Sequence, residues 1–346
     1  MKPLITALVD TYNHERYIEQ ALVSVLEQGF SAAELEVVVV DDGSTDKTPS
    51  IIQKFAPRVK HVRKQNGGQA SAFNAGFAES RGEIIAILDG DDWWATKKLS
   101  TVVEALEQNP SVAAVGHGHF KYYEETNELQ ACVPPGRMLV NMETPCAVRS
   151  WPFLLMGALT VRRKVLDWIL PIPEEMIFMA DSAIQAAATI MGTLVLEEPL
   201  FYYRWHRRNL YAFEWAEGRN EGSLRRKAEM AELVYGGVSQ KLLQLGVPAE
   251  QVSALLGDPW LDAKRSRLQM SGGKRIEAFQ TEMQSFHRSF KNPSIAYRLY
   301  KYLVVAAATM IFPPRRFYKL RQWYAKHQLG RFRNRFLKEE AVPSKK

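Results

Sequence analysis

Three carboxylates stand within four positions, Asp89, Asp91 and Asp92, in the stretch IIAILDGDDWW that runs from Ile84 to Trp94. Like charges this close repel one another unless something positive sits among them. The apolar run before them reads as a buried strand, so the acids fall at its carboxyl end. Hard oxygen donors so arranged suit Mg²⁺ or Mn²⁺, which would also bind the oxygens of a diphosphate. A D-x-D alone is equally an ordinary turn. A second acidic pair, Asp41 and Asp42, ends the β-branched run of LEVVVVDDGSTD, and Gly43 permits a tight turn there. A carboxylate at that place can accept hydrogen bonds from a base N–H or from ribose hydroxyls. The same stretch can also start a helix, with Thr45 or Asp46 as its cap.

The elements that must hold these groups alternate between strand and helix. LITALVD is a short apolar run, and in IEQALVSVLEQGF the residues Ile18, Leu22, Val25 and Leu26 recur at helical spacing before Gly29. LEVVVVD, VKHVR and EIIAILD give further strands, with helices between them. This pattern predicts a doubly wound, mostly parallel α/β sheet flanked by helices. Such sheets bind ligands beyond the carboxyl ends of their strands, and residues 10–13, 41–44 and 89–92 all lie at such ends. Beyond them, residues 124–149 read as irregular, MADSAIQAAATIMG as a helix closed by Gly192, and TLVLEEPLFYYRW as a strand pair. Residues 221–290 read as helical, broken at GVPAE, GDPW and SGGK. His117 and His119, in GHGHF, are spaced like ligands on one strand face but equally like ordinary strand-end residues.

The two cysteines, Cys132 and Cys146, argue against a disulfide framework and for a reducing compartment. The opening MKPLITALVD reads as a first buried strand rather than a signal peptide. The net charge of +7 is unevenly spread: residues 291–346 hold 14 Lys/Arg and 2 Asp/Glu, leaving 31 and 36 for the rest. A basic tail on an acidic body predicts contact with an anionic surface. The uncharged run from Leu303 to Phe312 is ten residues, against the roughly 20 needed to span a bilayer. The aromatics interleaved with Arg and Lys after it suit a helix lying in a membrane interface, or a packed helix with a solvated basic face. No nucleic-acid-binding module is recognised.

Taken in order, ALVDTYNHERYIEQALVSVLEQ, LEVVVVDDGSTDKT, QNGGQASAFNAGFAESRGEIIAILDGDDWW and YRWH resemble the family 2 glycosyltransferases of GT-A fold, over residues 3–209. The resemblance implies an inverting sugar transfer from a nucleotide sugar, UDP- or dTDP-linked, to an acceptor hydroxyl, with Mn²⁺ or Mg²⁺. It implies nucleotide contacts at Asp10, Tyr12, Asp42, Gly68, Asn74 and Asp89, with Phe73 standing where the family frequently has arginine. It implies metal contacts at Asp91, Asp92 and His206. The family's catalytic base lies in an acidic pair before a helix, and the match here is Ala180-Asp181, so Asp181 is the expected base with its acidic neighbour lost; a plain helix cap is the other reading of that aspartate. Arg204, Arg207 and Arg208 read as diphosphate contacts or solvated loop residues, and Trp93, Trp94 and Trp151 as sugar-stacking or core residues. The expected domains are a GT-A domain over 1–215, a helical extension over 216–290 and a basic amphipathic tail over 291–346. The expected setting is the cytoplasmic face of a membrane, the acceptor a glycan or lipid-linked sugar in polysaccharide or glycolipid synthesis, with nucleic acid excluded as a partner. The alternative is a non-catalytic nucleotide-sugar or glycan-binding protein on the same fold.

Overall fold

The computed structural model describes residues 5–144, 155–177, 179–206, 209, 221–289 and 295–326. In chain order these form β1 (Ile5–Thr11), α1 (Ile18–Leu26), β2 (Leu35–Asp41), α2 (Thr48–Gln53), β3 (Lys60–Arg63), α3 (Gln69–Ala78), β4 (Ile84–Asp89), β5 (Trp93–Trp94) and α4 (Lys98–Gln108). There follow β6 (Ala114–Tyr123), β7 (Glu128–Cys132), β8 (Met138–Val140), β9 (Thr160–Arg162), α5 (Arg163–Ile169), α6 (Asp181–Met191) and β10 (Thr193–Trp205). The chain ends in α7 (Glu221–Gln244), α8 (Ala249–Ser271), α9 (Arg275–Ser289), α10 (Ile295–Ile311) and α11 (Pro314–Lys326).

The strands make one mixed sheet in the order β3-β2-β1-β4-β9-β6-β10-β5, with β7 on β6 and β8 on β10. β1, β2, β3 and β4 run parallel, as does β10 against β6, while β9 runs antiparallel between β4 and β6. Successive strand residues point to opposite faces, and both faces are covered. Leu8, Val38, Val40, Ile85 and Ile87 pack with α3, α5 and α6. Ala7, Val9, Val37, Val39, Ala86 and Leu88 pack with α1 and α4 on the other side. This double burial is why β1, β2 and β4 read as near-continuous apolar runs rather than alternating ones. Phe73 belongs to the first of these cores, 1% exposed.

Three local readings need correction. The stretch taken as irregular contains β7 and β8, short strands that pair with β6 and β10. TLVLEEPLFYYRW is one strand of 13 residues, whose register on β6 shifts on either side of Pro199. Helix α8 runs through GDPW without a break; Pro259 forfeits a helical hydrogen bond but does not end the helix. One expectation agrees with the structure, Gly192 closing α6 at φ +90°; the cap position of α2 is Lys47 rather than Thr45 or Asp46, although Asp46 Oδ1 accepts the Thr48 N–H at 2.9 Å just before it.

The chain divides into two compact units, Met1–Ala216 with Leu233–Gly257, and Glu217–Glu232 with Asp258–Lys346. In the first, Val234, Val238 and Leu242 of α7 join the core that holds α6. In the second, Leu268, Ala278, Phe317 and Tyr318 form a small core. Arg267 pairs there with Glu232 at 2.7 Å and with Glu277, and Glu282 takes Arg265 and Arg321 at 2.7 and 3.2 Å.

Candidate active site

The register of the parallel strands builds an acidic rim. Asp10 and Asp89 stand side by side at the ends of β1 and β4, and Asp42 follows β2. Two backbone bonds stitch the three ends together, Gly90 N–H to Asp10 O and Asp42 N–H to Thr11 O, each 2.9 Å. Position 90 requires glycine, because a Cβ would lie 2.6 Å from Thr11 Oγ1 and 3.0 Å from His14 Nδ1. Asp10 Oδ1 is buried without a hydrogen-bond partner among the described residues. Burial pushes the Asp10 carboxyl up to about 7, offset in part by a hydrogen bond with Asp89 and reinforced by the charges of Asp91 and Asp181. Burial, with the charges of Asp10, Asp92 and Asp91, raises Asp89 well above the usual carboxylate range. Burial and mutual repulsion at the rim thus favour the protonated forms of Asp10 and Asp89.

The last two acids have separate environments. Asp91 Oδ2 lies 3.0 Å from His206 Nε2 and accepts from Asn209 Nδ2 at 3.3 Å. Burial pushes Asp91 upward, but His14 and His206 outweigh it and hold the carboxyl below its ordinary value. Asp92, 2% exposed, turns the other way: its Oδ1 accepts the Arg204 backbone N–H at 2.7 Å. Burial and the Asp91 charge raise it well above the usual range. His206 is 3% exposed rather than on the surface, with its ring 4.7 Å from that of Tyr17. Arg204 is neither a solvated loop residue nor directed outward. Its Nε donates to Asp91 O at 2.8 Å and its Nη2 to Gln20 Oε1 at 2.5 Å, and its guanidinium lies 4.4 Å from the Trp93 ring centre. Trp93, partly exposed, stacks on Tyr202, and Trp94 is buried under the Lys98 side chain, which makes Trp94 a packing residue. Arg207, Arg208 and Trp151 lie outside the described residues. Among the described residues no three His, Cys, Asp or Glu side chains form a complete metal shell. Mg²⁺ is commonly held through one or two protein ligands together with substrate phosphates and water, and Asp91 with His206 is the candidate pair at this rim.

Asp181 opens α6, and its Oδ2 accepts from Gln185 Nε2 one turn on, at 2.7 Å. Burial pushes its carboxyl up to about 6, with backbone amides at the helix start pulling back. Its charge raises both Asp10 and Asp89, so it faces the same rim. Ala180 beside it is fully buried in the core, a place where a second carboxylate would lose its hydration.

The segment leading to Asp181 is anchored by residues expected against the nucleotide. Asn74 makes a reciprocal pair with Ile172, Nδ2 to O and N–H to Oδ1, both 2.9 Å. Gln69 N–H donates to Ile177 O at 3.0 Å and Gln69 Oε1 accepts the Ala180 N–H at 3.0 Å. Gly68 sits at φ +82°, and a Cβ there would lie 2.6 Å from Ile177 Cγ2. Asp42 in turn accepts from Lys64 Nζ at 2.7 Å, Gly67 N–H at 3.0 Å and Gly68 N–H at 2.8 Å. Asp42, Gly68 and Asn74 therefore link β2 through α3 to the start of α6. Tyr12, by contrast, is 44% exposed beside the rim. Gln69, His14, Asn209 and the clamp role of Arg204 carry no spacing signal of their own; only the fold brings them in. Replacing Asn74 by Ala removes the reciprocal pair that ties Ile172 to α3 and leaves the Gln69 bonds to Ile177 and Ala180 in place. The expected result is a fall in kcat of about tenfold with donor affinity nearly retained, read from steady-state kinetics and donor titration.

Against this geometry, comparison with known proteins is decisive. The model for glycosyl transferase family 2 matches residues 6–154, and an uncharacterized glycosyltransferase of Nostoc is 35% identical over 216 residues, 59% of this chain and 66% of that one. Residues 6–154 thus carry the glycosyl transferase family 2 pattern. A further resemblance is to EpsJ of Bacillus subtilis, an uncharacterized glycosyltransferase 28% identical over 64% of this chain and 67% of its own. The chain thus spans about two thirds of the length of these two relatives. Among solved structures, S. aureus TarS 1-349 in complex with UDP-GlcNAc aligns with TM-score 0.55 at 18% identity, covering 88% of this chain and 91% of that one. The mannosyltransferase PcManGT from Pyrobaculum calidifontis, in complex with GDP-Man and Mn²⁺, aligns with TM-score 0.51 at 21% identity, covering 90% and 88%. At those identities the two structures show the GT-A fold alone.

Proposed function

We propose that this chain transfers a sugar from a nucleoside-diphosphate sugar, UDP- or dTDP-linked, to an acceptor hydroxyl with inversion, in the synthesis of a cell-surface polysaccharide or glycolipid. The observation that carries this reading is the convergence of Asp181, its carboxyl raised to about 6, on the rim of Asp10, Asp89 and Asp91. A base of that strength is ionised at neutral pH yet takes a proton far better than an ordinary aspartate. The acceptor oxygen attacks the anomeric carbon as its proton passes to Asp181, and the bond from that carbon to the diphosphate breaks, the electron pair leaving with the diphosphate. A single displacement from the opposite face inverts the centre and needs no protein nucleophile.

Asp91 and His206 are the residues that would hold Mn²⁺ or Mg²⁺; Asp92 remains with the Arg204 amide. The metal, when bound, neutralises the diphosphate and stabilises it as a leaving group. The unpartnered Asp10 oxygen and exposed Tyr12 are available to the nucleotide. Asp42 and Gly68 shape the loop beside it. That a fold neighbour carries UDP-GlcNAc and another GDP-Man with Mn²⁺ supports a metal-assisted nucleotide-sugar donor. The proposed setting is the cytoplasmic face of a membrane, with a glycan or lipid-linked acceptor; no helix among the described residues is long and apolar enough to cross a bilayer.

A thermal-shift panel of nucleotide sugars with and without Mn²⁺ tests the reading. One donor should raise Tm in the presence of metal, and EDTA should remove the shift. If no nucleotide stabilises the chain, the reading fails.

A further inference from the structure

We propose that the outward face of α10, formed by Leu303, Val304, Ala307, Met310 and Ile311, is a lipid-contacting stripe that seats the chain on an anionic bilayer. The proposal rests on the peripheral-membrane reading and names the residues that enter the lipid. These five residues are exposed, Met310 at 70% and Leu303 and Ile311 at 65% each. Their spacing of i, i+1, i+4, i+7 and i+8 gathers them on one arc of about 120°. Val305 and Thr309 lie on the opposite, buried side, 5% and 1% exposed. A surface helix ordinarily turns its polar residues outward. Here the outward arc is wholly apolar, and the threonine is inside. Single exposed apolar residues need no explanation, but a contiguous stripe marks a surface meant to be covered.

Charge selects the occupant. Residues 291–338 contain twelve Lys/Arg and no Asp/Glu. Of these, Arg315, Arg316, Lys319 and Arg321 are exposed on α11 immediately after the stripe. A partner protein offers mixed charge, whereas a surface of anionic headgroups over hydrocarbon meets both halves of this element at once. The seventeen residues of α10 fall short of the roughly 20 that span a bilayer, so the helix lies in the interface with its apolar arc down. Its far end is held in place by Arg275 Nη1, which donates to Met310 O at 2.8 Å.

Co-sedimentation of the full chain with phosphatidylglycerol–phosphatidylcholine vesicles, and with phosphatidylcholine alone, tests this. The chain should bind the anionic vesicles and be released by about 0.5 M salt. Replacing Met310 and Ile311 together by Ser should weaken that binding about tenfold, with the donor-induced thermal shift unchanged as the check on folding. Failure of the unaltered chain to bind overturns the peripheral-membrane reading, whatever the donor panel shows. Equal binding by chain and variant overturns the stripe and leaves the basic residues as the anchor. A dimer in light scattering that the double substitution dissociates, without a change in vesicle binding, assigns the stripe to a second copy and overturns the proposal.

Discussion

Asp181→Asn should lower kcat by about a thousandfold while leaving donor affinity nearly unchanged. The amide keeps the shape of the side chain and can still meet Gln185, but it cannot take a proton. Because the carboxyl is raised to about 6 by burial, the unaltered chain should lose kcat/KM about tenfold per pH unit below pH 6 and plateau above it. The residual rate of the variant should lack that limb. Stability should move in the opposite sense. The folded chain holds this proton more tightly than the unfolded chain, where the group titrates near 3.8. The associated stabilisation is complete below that value and lost as pH rises through about 6. A neutral asparagine escapes the cost of a buried charge, so the variant should melt higher than the unaltered chain at pH 8. Loss of donor binding, or an acid limb that survives the substitution, would reassign Asp181 to a structural role.

Asp91→Asn and Asp92→Asn should behave unlike each other although the residues are adjacent. Asp91 is held ionised beside His206, so removing its charge should abolish the Mn²⁺-dependent part of the donor thermal shift and raise the donor KM by about a hundredfold. Asp92 is pushed toward its neutral form and accepts one backbone hydrogen bond from Arg204. An asparagine oxygen can accept that bond equally well. The second variant should keep metal dependence, with a rate within about tenfold of normal and a stability change of about 1 kcal/mol. The reverse pattern would move the metal from Asp91 to Asp92.

The contrast between these neighbours shows where the sequence stops being informative. The rim itself was readable, because strands buried on both faces leave long β-branched runs whose ends are marked by acids and glycines. Which way each carboxylate turns was not, since Asp92 is fixed by an amide 112 positions away. Asn74 and Gly68 were found by pattern, but their contacts to Ile172 and Ile177 were not, because those partners lie in a segment with no periodic signal. Arg204 looked like a loop cation because nothing local announces the aromatic rings around it. β7 and β8 were missed because three to five residues of edge strand take their stability from pairing rather than from their own composition. Pro199, which ordinarily ends a strand, sits at a register shift in β10 that absorbs it.

The clamp of Arg204 on the Asp91–Asp92 turn has a consequence for the order of assembly. The first four strands can pair as soon as they leave the ribosome, but the Arg204 amide and His206 emerge more than a hundred residues after the turn they complete. A nascent chain stopped at residue 192 would carry its acidic groups without the histidine that accompanies Asp91 or the amide that turns Asp92 aside. The Asp91–Asp92 turn is thereby completed only once the sheet has received its last long strand.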